Sequence, residues 1–252
     1  MSGHSKWATT KYRKGAQDKA RAKLFAKLIR QLEVAAREGG TDMEVNATLR
    51  TMYEKARDAS VPLDTIERAI KRGSGELEGV NYEVVTYEGY AADGVAVVVE
   101  CMTSNRNRTA ADVRNIFSRN GGSIASPGSV LWQFDRKGIL RVDGKVPEED
   151  LLSVAVDAGA EDISNQQDHW LITCSAKELP ACKAALEAAG IKVIAAELDM
   201  LATTEVKVDQ EVEARKVLRV LDALDDHEDV QNVYSNFDIP DEILEKITSE
   251  DS

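Results

Sequence analysis

Cysteine is scarce in this 252-residue chain: Cys101, Cys174 and Cys182 show no CxxC spacing and cannot pair off evenly. A disulfide scaffold or zinc ribbon is therefore excluded, and the apolar runs around two of them read as reduced, buried thiols. Histidine is equally sparse, and His4, His169 and His227 lack metal-ligand spacing. The longest apolar stretches, such as Val95 to Val99, fall far short of the roughly 18 residues of a membrane span. Met1 to Ala8 has no apolar signal-peptide core, so a cytoplasmic location without a membrane partner is expected. No repeat of solenoid period is present. Gly73-Ser74-Gly75 lacks the Lys-Ser/Thr of a phosphate-binding loop, and no carboxylates have the paired spacing or neighbouring base of acid-base catalysis. The expectation is a protein that is not an enzyme, with no cofactor and no small-molecule substrate.

What the chain has in quantity is charge, unevenly distributed. The net charge is -12, yet residues 1 to 30 hold nine basic side chains (Lys6, Lys11, Arg13, Lys14, Lys19, Arg21, Lys23, Lys27, Arg30) against one acid, Asp18. Residues 1 to 75 hold 16 basic against 9 acidic, and the remainder 16 against 35. A basic segment on an acidic body points to polyanion binding by the basic part. The acidic run Asp225, Asp226, Glu228, Asp229 reads as a solvated face that aids solubility or docks a basic protein.

Periodicity gives an α+β, multidomain architecture. From Ala16 to Arg37, Phe25, Leu28, Ile29, Leu32 and Ala36 recur at helical spacing and the run stops at Gly39-Gly40, with Lys19, Lys23, Lys27 and Arg30 on the opposite face. One face can pack while the other meets a partner. A second helix is expected over Asn46 to Ala59, and a third from Asp64 as N-cap, with Glu67 three residues on, to Gly73 as C-cap. These make a basic helical domain over 1–78. Strands follow at Tyr82 to Tyr90 and Val95 to Cys101, then a helix from Thr109 to Asn120 and a strand from Ser129 to Phe134. From Gly138 the order βαββαβ is that of a ferredoxin-like split unit over 137–200. A strand near Thr204, a helix from Glu211 to Leu224 and a strand from Val230 to Phe237 return to the sheet begun at Tyr82. The fold expected is thus a helical N-terminal domain followed by two ferredoxin-like α/β domains, the third inserted in the second. The middle domain is discontinuous (79–136 and 201–240), and 241–252 is an acidic C-terminal tail.

Two segments carry the candidate chemistry. GHSKW at 3–7, continuing to Lys11, Tyr12, Arg13 and Lys14, mixes cations that neutralise phosphates with Trp7 and Tyr12, which can stack on bases. SNRNRT at 104–109 sets Asn105, Arg106 and Arg108 at a strand-to-helix junction, suited to a phosphate, with Arg114 and Arg119 extending the patch. The alternative is that Asn105 and Thr109 cap the helix while the arginines pair with acids such as Asp112; both stay open here. The second helix ends at Val61-Pro62 and the third begins almost at once, without a helix-turn-helix pattern, which favours RNA or shape-based binding.

The segments GHSKWATTKYRKGAQDKARAKLFAKLIRQLEVAAREGG, IERAIKRGSGELEG, YEGYAADGVAVVVECMTSNRNRT and SVLWQFDRKGIL, taken in order over nearly the whole chain, resemble the YebC family. That family includes the mitochondrial translational activator of cytochrome c oxidase. The resemblance implies three domains: a helical N-terminal domain, a discontinuous middle domain and an inserted third domain. It further implies either DNA-binding transcriptional regulation or action on the ribosome, through ribosomal RNA, that helps translation past proline runs. Lys6, Trp7, Lys11, Arg13, Lys14, Asn105, Arg106 and Arg108 would be the binding positions. Tyr12 stands where many members have His, and Ser104 where many have Asp. The competing class is an acidic protein-interaction adaptor, without direct nucleic-acid contact, whose N-terminal arm folds back on its own acidic domains.

Overall fold

In the computed structural model, which describes residues 17–166 and 168–250, the first apolar stripe folds as α1 (Gln17–Gly39). Leu28, Leu32, Ala35 and Ala36 are buried along one side of it. They pack on Leu49 and Ala56 of α2 (Ala47–Asp58) and Ile66 and Ala69 of α3 (Leu63–Ser74). One buried amide finishes α1 and starts α2. Asn46 Nδ2 donates to Ala35 O at 2.8 Å and Gly40 O at 2.7 Å, and its Oδ1 accepts from Leu49 N at 2.9 Å. This satisfies carbonyls at one helix end and an amide at the next helix start. A Cβ on Gly39 would lie 2.5 Å from that Asn46 nitrogen, so the close approach requires glycine.

The third helix departs from expectation at both ends. It starts a residue earlier than Asp64, because the Pro62 carbonyl accepts from Thr65 and Ile66 N, and Asp64 pairs with Arg68 instead of capping. Gly73 lies inside the helix, where a Cβ would meet Glu33 O of α1 at 2.4 Å, and the left-handed cap is Gly75 at φ 85°. The same crossing is tied by buried Glu33, which accepts from Arg72 Nε at 2.6 Å.

The chain divides into two compact units. One takes in the described residues up to Leu131 and those from Val206 onward, and the other runs Trp132–Glu205. The first unit contains the three helices and an antiparallel sheet of order β3-β1-β2-β9, built from β1 (Glu83–Tyr90), β2 (Ala96–Thr103), β3 (Ser123–Ile124) and β9 (Val230–Ser235). The final strand returns beside β2, with Val97 opposite Ser235 and a bulge at Glu100/Cys101. Ala96 to Val99 are fully buried, as a central strand covered on both faces should be. Onto one face pack α4 (Arg106–Arg119) with Val113 and Phe117, and α7 (Glu211–Asp225) with Val217, Leu221 and Leu224. The segment expected as an acidic tail is largely α8 (Asp241–Glu250), whose Leu244 and Ile247 enter the same core. A short parallel pair joins β8 (Val206–Lys207) to β10 (Phe237–Asp238).

The second unit has β4 (Phe134–Asp143), α5 (Glu148–Asp157), β5 (Ala160–Asn165), β6 (His169–Ser175), α6 (Leu179–Ala188) and β7 (Val193–Ala202) in chain order. The sheet order β5-β6-β4-β7, antiparallel throughout, is that of the split βαββαβ motif. The middle sheet reaches a comparable helix-on-sheet layering by a different order, with the β1/β2 hairpin at its centre. The strand expected at Ser129 to Phe134 does not form before Phe134. Buried Glu88 accepts from the amides of Gly128, Val130 and Leu131, which commits that backbone to a side chain instead of a ladder. Burial pushes the Glu88 carboxyl up, and these three bonds outweigh it and hold it below the ordinary 4.5.

Candidate nucleic-acid interface

Lys23, Lys27 and Arg30 recur at i, i+4 and i+7 on α1, a stripe roughly 140° around the helix from the stripe of Leu28, Leu32 and Ala35. The structure corrects the expectation that this face is open to a partner. Lys23 Nζ meets Asp226 Oδ1 at 2.9 Å and Asp225 Oδ2 at 3.3 Å. Lys27 Nζ meets Asp225 Oδ1 at 2.9 Å and Gln231 O at 3.1 Å. Arg30 donates to Asp229 Oδ1 at 3.1 Å and to Glu228 O at 2.5 Å, with its guanidinium over the Tyr82 ring. The run 225–229 is therefore only in part a solvated face: Asp226 and Glu228 are exposed, Asp225 is half-buried and Asp229 is buried. It sits at the turn from α7 into β9, directly against α1, and the separation of about 200 residues hid this from periodicity. Lys6, Trp7, Lys11, Arg13 and Lys14 lie outside the described residues, as does the side chain of Lys19.

Asp229 is the centre of this contact, its side chain 2% exposed. Its Oδ2 accepts from Arg108 Nη2 at 2.8 Å and lies 2.8 and 3.3 Å from the hydroxyls of Thr109 and Thr103. Burial alone pushes the Asp229 carboxyl up; hydrogen bonds from Arg108 and Thr109, with the charges of Arg108 and Arg30, reverse this and hold it below the ordinary 3.8. One buried carboxylate thus joins α1, the end of β2 and the start of α4. Within an acidic run, nothing marked Asp229 out from Asp225, Asp226 or Glu228; only its position as the first residue before the apolar β9 could have suggested burial.

The segment from Ser104 to Thr109 resolves into separate roles. Asn105 caps α4, its Oδ1 accepting from Arg108 N at 3.1 Å. Thr109 turns inward to Asp229, and Arg108 pairs with Asp229 and, at 3.6 Å, with Glu228. Asp112, the partner expected for the arginines, instead faces His227 Nε2 at 3.3 Å. Arg106, Arg114 and Arg119 are exposed and meet no carboxylate among the described residues. Arg106 and Arg114 lie about 80° apart around α4, whereas Arg119, at the end of the helix, lies about 140° from both. Arg106 is held at its backbone by Tyr87, whose hydroxyl donates to the Arg106 carbonyl at 3.2 Å, leaving the guanidinium outward. The geometry therefore anchors one arginine of the loop and presents its neighbour.

Electrostatically, three exposed guanidinium groups on one helix, which meet no carboxylate among the described residues, suit bidentate contact with phosphate oxygens. Among the described residues no cluster of His, Cys, Asp or Glu could hold a metal ion, and no helix is long and apolar enough to cross a membrane.

A family model described as the TACO1/YebC protein N-terminal domain matches residues 5–76, and one described as the TACO1/YebC second and third domain matches residues 82–237. The chain is 52% identical over 250 residues to a "Probable transcriptional regulatory protein" of Thermobifida fusca, covering 98% of this chain and 100% of that one. It is 49% identical over 253 residues to a protein of the same name from Halothermothrix orenii, covering 99% and 100%. Its fold is similar to the crystal structure of a conserved hypothetical protein from Aquifex aeolicus, with a TM-score of 0.82 at 45% identity over 90% of this chain and 94% of that one.

Proposed function

The chain belongs to the TACO1/YebC family, and from that premise we propose that it is a non-enzymatic, cytoplasmic regulator of gene expression that binds nucleic acid. The observation that carries this reading is the outward set Arg106, Arg114 and Arg119 on α4, next to an Arg108 that is fixed in place. A cation held in an ion pair must give up its carboxylate to reach a phosphate and so gains less, whereas an exposed guanidinium that meets no carboxylate among the described residues exchanges water for a phosphate at little cost. The strongly basic first thirty residues supply further cations, Lys6, Lys11, Arg13 and Lys14 among them, and Trp7 adds a stacking surface. The names of the relatives point to regulation of transcription, and shape-based binding of ribosomal RNA is the other form the same contacts can take.

The test is charge reversal on α4. Arg106→Glu with Arg114→Glu and Arg119→Glu should abolish binding to a labelled duplex or structured RNA while the melting temperature stays within about 2 °C of the parent, as exposed substitutions do. Crosslinking in cells followed by sequencing identifies the polymer, as promoter DNA and ribosomal RNA give different reads. The adaptor reading draws support from the ion pairs between α1 and residues 225–229, which show a basic segment folded back on an acidic one. It gains the upper hand if the triple reversal changes nothing and only protein crosslinks are recovered.

A further inference from the structure

The contact between α1 and the end of α7 is graded. At its inner end Arg30 reaches Asp229, which is buried. At its outer end Lys23 and Lys27 meet Asp225 and Asp226, and the Asp226 side chain is 69% exposed. The Arg30–Asp229 and Lys27–Asp225 pairs are shielded from screening to a large degree, whereas the Lys23–Asp226 pair is open to water on its Asp226 side and weakens with salt. The carboxylates of the outer part also occupy an unfavourable place. Asp225 lies in the last turn of α7, Asp226 caps it, and that turn holds no basic residue. Anions at a helix C-terminus face the negative end of the macrodipole, so these positions disfavour acids unless cations arrive from elsewhere. Here they arrive from α1, roughly 200 residues away in sequence.

Resting on the nucleic-acid reading above, we propose that Asp225 and Asp226 act as a built-in competitor for polyanions, holding Lys23 and Lys27 until a phosphate backbone displaces them. The two carboxylates present negative oxygens to successive turns of one cationic stripe, as neighbouring phosphates would. Exchange needs no unfolding, because Arg30, Asp229 and Arg108 keep the helix joined to the sheet. Binding would therefore add Lys23 and Lys27 to the cations that meet the polyanion, at a threshold set by the acidic pair.

The experiment measures affinity of the full chain for a fluorescent duplex DNA and a structured RNA oligonucleotide across salt concentrations. Asp225→Asn with Asp226→Asn should bind roughly three- to tenfold more tightly at low salt, the scale of one or two partly exposed ion pairs. Its salt slope should steepen by about 1.5, as two extra phosphate contacts require. Adding Lys23→Gln and Lys27→Gln to that variant should remove the gain. Unchanged affinity and slope in the Asn pair, with the parent still binding, overturns the competitor and leaves the nucleic-acid reading standing. A gain that survives the lysine substitutions also overturns it, because it would then come from the lowered overall charge. If neither parent nor Asn pair binds any oligonucleotide, the nucleic-acid reading fails and takes the competitor with it.

Discussion

Asp229→Asn is a severe test of how the first unit is held together. The substitution keeps the shape of the side chain but removes the charge that Arg30 and Arg108 share, and it places an amide nitrogen where Arg108 or Thr109 now donates. Removing one partner of a buried ion pair costs about 3–5 kcal/mol. Two features place this site at the lower end. Arg30 keeps the carbonyls of Glu228 and Met102, and Arg108 is half exposed and can turn to water. A loss of about 3 kcal/mol corresponds to a fall in Tm of roughly 6–12 °C for a chain of this size. Calorimetry gives the shift, and hydrogen exchange shows where it acts. Amides of β2, α4 and β9 should lose protection, while those of Trp132–Glu205 keep theirs, since that segment is a compact unit of its own and Asp229 belongs to the other. A variant that melts within 1 °C of the parent, or loses protection uniformly, refutes the assignment of Asp229 as the joint.

The remaining predictions follow from the same contacts. Arg108→Glu should lower Tm by several degrees, whereas Arg106→Glu should leave it unchanged and weaken oligonucleotide binding; paired melting and anisotropy measurements distinguish the two neighbours. Asp229 and Glu88 are both held below their ordinary values when folded, so their stabilisation is complete above the unfolded carboxylate range and is lost as pH falls through the folded values. Tm should therefore drop on acidification below about pH 4–5, and Glu88→Gln or Asp229→Asn should flatten the slope of Tm against pH. Burial pushes Cys101 up to about 12 and Cys174 up to about 11, so a thiol reagent at neutral pH should label neither until the protein is unfolded; rapid native labelling would contradict the buried placement. Arg72→Ala strands the buried Glu33 carboxylate and should destabilise the three-helix part by about 3 kcal/mol, read as lost amide protection in α1 and α3.

Much of this architecture is written locally. The 3.6-residue stripe of α1 with its Gly39-Gly40 stop, and the βαββαβ order from residue 137, follow from apolar spacing and turn residues that act within a few positions of each other. What escaped local reading depends on partners far away in sequence. Glu88 captures the amides of Gly128, Val130 and Leu131 some forty residues on and so cancels a strand that the apolar and aromatic residues Val130, Leu131, Trp132 and Phe134 alone would favour. Gly73 looked like a cap because its role, contact with the backbone of Glu33, lies on another helix. Ile243, Leu244 and Ile247 have helical spacing, but the surrounding acids masked the stripe that packs α8. The same holds for the site. The sequence marked the arginines of 104–119 as a group, and only the fold separates Arg108, bound to Asp229, from Arg106, Arg114 and Arg119, which are presented outward. The stripe Lys23, Lys27, Arg30 is legible as a cationic face, while its commitment to residues 225–229 is not.

The central claim is that this acidic protein meets a polyanion through its localised cations. Its most direct test is the salt dependence of binding to a labelled RNA or DNA oligonucleotide. The account predicts that log Kd rises linearly with log salt, with a slope near 0.7–0.9 for each phosphate contacted, and that reversing Lys6, Lys11, Arg13 and Lys14 to Glu removes the binding. Affinity that is indifferent to salt, or unaltered by those reversals, would contradict it.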